Sequence, residues 1–214
     1  MNKVYLYICL LLVPLTTSSQ VVNDAKLWSS VTLNKKIEDF KLSYSQEFRL
    51  DENFSHVDKF FSEVGLDYKI VKNFSTSFGY RFARENDYEN FNYEINHRFD
   101  FGLEYQYEIE DWQIEYRIKY QTKTASPTEN NPSYLRNKFT LDYKKDDFSP
   151  YISYELFYQF NEERVLNRSR ISLGAKLDIT KKSAIKCFYT FENRFNTNNL
   201  EHNHIYGIGY SIDL

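Results

Sequence analysis

From Phe40 to Leu214 apolar and polar residues alternate almost one by one, and this period of two constrains the fold more than any other feature of the chain. In "FKLSYSQEFRL", residues Phe40, Leu42, Tyr44, Phe48 and Leu50 share one face of an extended chain. Lys41, Ser43, Ser45, Glu47 and Arg49 share the other. The pattern recurs at Phe60 to Ile70, Phe74 to Phe82, Tyr93 to Tyr105, Trp112 to Tyr120 and Leu135 to Tyr143. It returns at Ile152 to Phe160, Ile171 to Ile179, Ile185 to Phe191 and Tyr206 to Leu214. With a first segment at Leu27 to Leu33 the runs number eleven, and no helical periodicity is sustained. Most are long enough for the roughly 9 to 11 residues that a tilted strand needs to cross a bilayer.

The connections alternate as well. Short turns at Asn34 to Asp39, Val71 to Asn73, Glu108 to Asp111, Lys145 to Ser149 and Thr180 to Ser183 interleave with longer polar loops. Those loops are Asp51 to Lys59, Glu85 to Asn92, Lys123 to Ser133, Asn161 to Asn167 and Phe195 to Asn203. A meander with short turns at one end and longer loops at the other matches the periplasmic and extracellular ends of outer-membrane barrels. This places Thr128 outside the cell and Lys182 in the periplasm. Bacterial single-chain barrels usually have an even strand count, so eleven suggests that the N-terminus is misread. Either Leu27 to Leu33 is supernumerary, leaving ten strands, or a partner near Val21 to Lys26 makes twelve.

The apolar phase faces either a soluble core or lipid. It carries too many of the chain's 19 Tyr, 18 Phe and 2 Trp to fit inside one small barrel. The opposite phase carries charges of both signs in mid-strand. They are Glu47, Arg49, Glu63, Arg81, Glu94 and Arg98, then Glu115, Arg117, Glu155, Arg170, Glu192 and Arg194. Asp100, Lys138 and Asp142 join them. All six glycines (Gly65, Gly79, Gly102, Gly174, Gly207 and Gly209) also fall on the polar phase. A solvated outer surface gives no reason for that bias, whereas a concave, crowded lumen does. The apolar phase is therefore read as facing lipid and the charges as a paired network that fills the lumen, since a buried charge is tolerated only when paired.

Residues 1–19 read as a cleaved secretory signal peptide, with Asn2 and Lys3 before the apolar run Val4 to Leu15 and a small-residue stretch after it. That run is short of the roughly 20 residues of a spanning helix. Residues 20–214 then form the barrel. Cys9 lies in the leader, so Cys187 is left alone and no internal disulfide forms. A mean hydropathy of -0.63 and a net charge of -3 argue against a helical membrane bundle and a nucleic-acid surface.

The segments "LWSSVTLNKKI", "QEFRLDEN", "DKFFSEVGLDYKIVKNFSTSFGYRF", "YLRNKFTLDYK" and "RISLGAKLDITKKSAIK" resemble the outer-membrane barrel family of unknown function common in the Bacteroidota, the domain of unknown function 2490 type. The resemblance covers roughly Lys26 to Leu214 and rests on pattern. It implies an outer-membrane barrel and supplies no catalytic residues. The chain departs from such barrels in ending on Leu214 rather than an aromatic residue.

No nucleotide-binding or hydrolase motif is present. His97 sits on the lipid phase, where barrel lipid hydrolases and acyltransferases place a Ser and His pair, but its same-phase neighbours Tyr80, Phe82, Ile118 and Tyr120 offer no nucleophile. "EHNH" (Glu201 to His204), with His56 on a neighbouring loop, is the one metal candidate, and without fixed ligand spacing it reads as a polar surface loop. The expectation is an all-β, antiparallel meander transmembrane barrel of ten to twelve strands in the outer membrane of a Gram-negative bacterium. It is not an enzyme and needs no cofactor or metal. Its partners are outer-membrane lipid and, during biogenesis, the barrel-assembly machinery, with no nucleic acid. A narrow channel for small polar or anionic solutes is the alternative, and a lipid-modifying enzyme the second.

Overall fold

The computed structural model describes residues 22–87, 92–124, 132–161, 164–197 and 200–214. The leader at 1–19 and Thr128 lie outside the described residues. Eleven strands follow one another: β1 (Val22–Ile37), β2 (Phe40–Asp51), β3 (His56–Val71), β4 (Phe74–Asp87), β5 (Asn92–Ile109) and β6 (Trp112–Thr124). Then come β7 (Ser133–Tyr143), β8 (Phe148–Gln159), β9 (Val165–Thr180), β10 (Ser183–Arg194) and β11 (Glu201–Asp213). Each pairs antiparallel with the next, and β1 pairs with β11 to close the barrel.

An antiparallel meander reverses direction at every turn, so with an odd count the first and last strands point the same way and the closing seam must be parallel. The register from Val22↔Glu201 to Asn34↔Asp213 is such a seam. This overturns the expectation of a misread N-terminus. Leu27 to Leu33 is the middle of a full closing strand, and no twelfth strand lies at Val22 to Lys26, which belong to β1 itself. Ser29, Ser30, Lys35 and Lys36 dilute the alternation of β1, so its length cannot be read from hydropathy.

The four two-residue connections, at 38–39, 72–73, 110–111 and 181–182, lie at one end together with 144–147, while at the other end the connection at 52–55 is as short as 144–147. At the other end the strands outrun the apolar pattern. β3 already begins at His56, β4 reaches Asp87, β6 reaches Thr124 and β9 begins at Val165, so parts of the expected loops are strand. Beyond the lipid band nothing selects apolar residues on the outer phase, and the pattern fades before the hydrogen bonding does.

Burial inverts the soluble rule. Phe78, Ile95, Phe101 and Leu173 are 50%, 54%, 53% and 53% exposed on the outside, while Asp100, Glu155 and Glu192 are 2%, 5% and 3% exposed within. Apolar surface on this scale far exceeds what a soluble monomer exposes and suits a wall bathed in lipid. Aromatic pairs lie on the outside, Phe40–Tyr68 and Trp112–Tyr143 near the short turns and Tyr80–Phe99 and Tyr189–Tyr206 near mid-strand. Inside, Gly207 leaves the space that the Phe188 ring occupies, since a Cβ there would lie 2.0 Å from that ring. Gly174 does the same for Tyr151 and Phe188.

Candidate functional site

Strand register decides which lumen charges meet. It sets cations directly opposite one another at Arg49↔Lys59, Arg81↔Arg98, Arg98↔Lys123, Lys119↔Arg136, Arg117↔Lys138 and Arg168↔Arg194. Like charges facing across a strand pair are destabilising, so the barrel concentrates positive charge against its own stability. Carboxylates on the same wall offset part of this. Glu63 accepts from Arg81 at 2.6 Å and Arg98 at 2.9 Å, and Asp100 pairs with Arg98 at 2.8 Å. Glu155 meets Arg136, Arg117 and Arg170 at 2.8, 3.6 and 3.8 Å. Glu192 meets Arg170, Arg194 and Arg168 at 2.6, 3.3 and 3.9 Å. Lys59 and Lys123 share Glu85. These pairs join residues of one strand, of adjacent strands or of strands two apart, so they run around the wall rather than across the lumen.

Aromatic rings on the lumen phase order the guanidiniums further. Arg49 lies 3.6 Å over Trp28 and Arg81 3.5 Å over Phe61. Arg136, Arg170 and Arg168 approach Phe157 at 4.7, 4.8 and 5.1 Å. Arg170 also lies 5.2 Å from Trp28, which reaches it from β1. Ring faces attract cations and fix the plane of the fork.

These groups enclose a cavity of about 340 Å³ toward the long-loop end. Among its described charged lining residues nine are cations, drawn from β2 to β10, and Glu85 is the single carboxylate. The other carboxylates sit behind the guanidiniums they brace. Buried Nε atoms of Arg117 and Arg168 have no hydrogen-bond partner. At the short-turn end a second cavity of about 660 Å³ is lined evenly by Lys41, Lys176 and Lys181 and by Asp147, Asp178 and Asp213. The positive excess therefore belongs to the long-loop half. Between the two, Tyr151 and Phe188 pack over the bare glycines, and the Lys186 ammonium lies 4.2 Å from the Tyr151 ring.

Of the charges expected in the lumen, the structure gathers Arg117, Glu155, Arg170, Glu192 and Arg194 into one cluster and Glu63, Arg81 and Arg98 into another. Glu47 pairs with Arg49 at 2.6 Å beside Trp28. Glu94 sits opposite Glu85 near the rim, and Glu115 stands lower, opposite Thr140, away from Arg81 and Arg98. Sequence reasoning missed Lys59, Glu85, Lys123, Arg136 and Arg168. The first three lie beyond the apolar band. Arg136 and Arg168 were legible, since they share the polar phase with Lys138 on β7 and with Arg170 on β9.

The "EHNH" run alternates across the wall. Glu201 and Asn203 point inward to Arg194 and Glu192, while His202 and His204 lie outside against Phe191 and Tyr189. No group of three His, Cys, Asp or Glu is placed to hold a metal among the described residues. His97 meets the Tyr80 hydroxyl at 2.8 Å and packs against Phe82.

A closed meander, apolar outside and charged within, is the architecture of a transmembrane β-barrel. The chain belongs to the family described as Protein of unknown function (DUF2490), whose model matches residues 25–203. No curated protein matches it in sequence. Among solved structures, it is similar to the anion-selective porin from Comamonas acidovorans, with 11% identity and a TM-score of 0.41. That match covers 80% of this chain and 52% of the porin, so the chain spans about half the porin's length.

Proposed function

We propose that this protein is an outer-membrane β-barrel of a Gram-negative cell, exported by its leader and without enzymatic activity, whose lumen admits small anionic solutes from the long-loop end. The observation that carries the reading is the chamber lining, nine cations against one carboxylate. Arg and Lys lining a pore favour anions, and low-dielectric walls focus that field. Outer-membrane lipid surrounds the wall, and the barrel-assembly machinery inserts it. His97, held by Tyr80 between aromatic rings, reads as an interfacial side chain and not as a catalyst.

Purified protein in a planar bilayer under a potassium chloride gradient tests this. Small currents that reverse near the chloride potential are expected, and reversal near the potassium potential would overturn the proposal. A second reading, a barrel closed below the chamber, has its own support in the packing of Tyr151, Phe188 and Lys186. It predicts no steady current from the wild type and flickering openings from Arg98→Ala combined with Arg117→Ala.

A further inference from the structure

We infer that the part of the chamber walled by β7 to β10 is a binding site for a small oxyanion of the phosphate-monoester class. The inference deepens the anion-admitting reading above and rests on it. Among the described residues, the guanidiniums of this part of the lining, Arg136, Arg168, Arg170 and Arg194, share three carboxylates, Glu155, Glu192 and Glu201, so one positive charge is left over and favours an anion.

The supply of donors points the same way. Each guanidinium carries five N–H donors and no acceptor. Arg168 is the least satisfied, with its nearest carboxylate oxygen at 3.9 Å and its buried Nε without a partner. The regular register of β9 against β10, in which Arg168 keeps the inward phase of Arg170, sets it directly opposite Arg194. Glu192 reaches the two facing cations only at 3.9 and 3.3 Å, so a small anion bound between them adds to the neutralisation it supplies. Phe157 orients three of the forks, and rigid forks suit bidentate recognition of phosphate oxygens. Access is direct. A rim cavity of about 290 Å³ shares Tyr134, Arg168 and Arg194 with the chamber, so a solute reaches the site without crossing the lower lumen.

Trp28 supplies the readout, because it lies in the chamber beside Arg49 and Arg170 while the chain's other tryptophan, Trp112, is on the outer face near the short turns. The whole chain carrying Trp112→Phe is refolded in a phosphate-free detergent. Glycerol 3-phosphate and acetate are then titrated at constant ionic strength and pH 8. A saturable change in Trp28 emission is expected, with a midpoint at least tenfold lower for glycerol 3-phosphate. Arg168→Gln should raise that midpoint tenfold or more, and Arg168→Lys, which keeps the charge but loses the fork, should recover only part. Lys182→Gln, at the far end, should leave it unchanged. Heat-dependent gel mobility verifies folding of each variant, and Arg194→Gln gives the same reading if Arg168→Gln does not refold.

Equal midpoints for the two anions, no saturable response, or an unaltered midpoint in folded Arg168→Gln would overturn the site. Competition by phosphatidylglycerol added to the micelles would transfer it from a free solute to a lipid headgroup and overturn it as stated. Chloride-selective current without phosphate discrimination overturns the site and leaves the path. Saturable phosphate binding without current does the reverse.

Discussion

Replacing Glu155 by Gln isolates the contribution of the wall's ion pairs to barrel stability. Its side chain is 7% exposed, and its carboxylate accepts from Arg136 Nε at 3.0 Å and Nη2 at 2.8 Å. Arg117 and Arg170 lie at 3.6 and 3.8 Å. A hydrogen bond to a charged partner contributes about 1.5 to 3 kcal/mol and a neutral one about 0.5 to 1.5, so neutralising the acceptor weakens each Arg136 bond by roughly 1 kcal/mol. The two longer contacts lose their Coulomb attraction as well, and three guanidiniums are left facing one another. Breaking a buried pair commonly costs about 3 to 5 kcal/mol. Because the chamber adjoins the rim cavity and its pairs are partly screened, the expected loss is about 2 to 4 kcal/mol. Urea unfolding in lipid vesicles measures it as a lower midpoint at unchanged slope. Glu108→Gln is the control, since Glu108 is 65% exposed and its 3.5 Å pair with Lys144 is worth at most about 1 kcal/mol. If both variants unfolded together with the wild type, the lumen charges would be screened by solvent and the ion pairs would not hold the wall.

Two further outcomes test the orientation of the wall. Leu66→Arg, on the lipid face of β3 opposite Leu42 and Phe78, should cost about 2 to 4 kcal/mol in the same unfolding assay, and Asp67→Asn, one residue along in the lumen, should cost less. The opposite ranking would place every side chain on the wrong face. In a Cys187→Ala background, an impermeant maleimide on intact cells should label Ser55→Cys between β2 and β3 and spare Lys182→Cys between β9 and β10. Labelling of Lys182→Cys alone would invert the barrel.

The sequence by itself determined the wall. A side-chain period of two is local, so Phe40 to Leu50 assigns its own faces, and the placing of all six glycines on the polar phase marks that phase as the crowded interior. The turn and loop asymmetry likewise needs only neighbouring residues. The tertiary structure decided what depends on closure and register. The parallel β1 to β11 seam joins residues at opposite ends of the chain, and nothing near Leu27 signals it. Lys59, Glu85 and Lys123 become lumen residues only because hydrogen bonding continues past the lipid band. Both signs of charge appear along the strands in sequence, which suggested mutual neutralisation. Only the register, which sets Arg168 against Arg194 and Arg81 against Arg98 with the carboxylates behind them, turns a nearly balanced composition into a positively lined chamber.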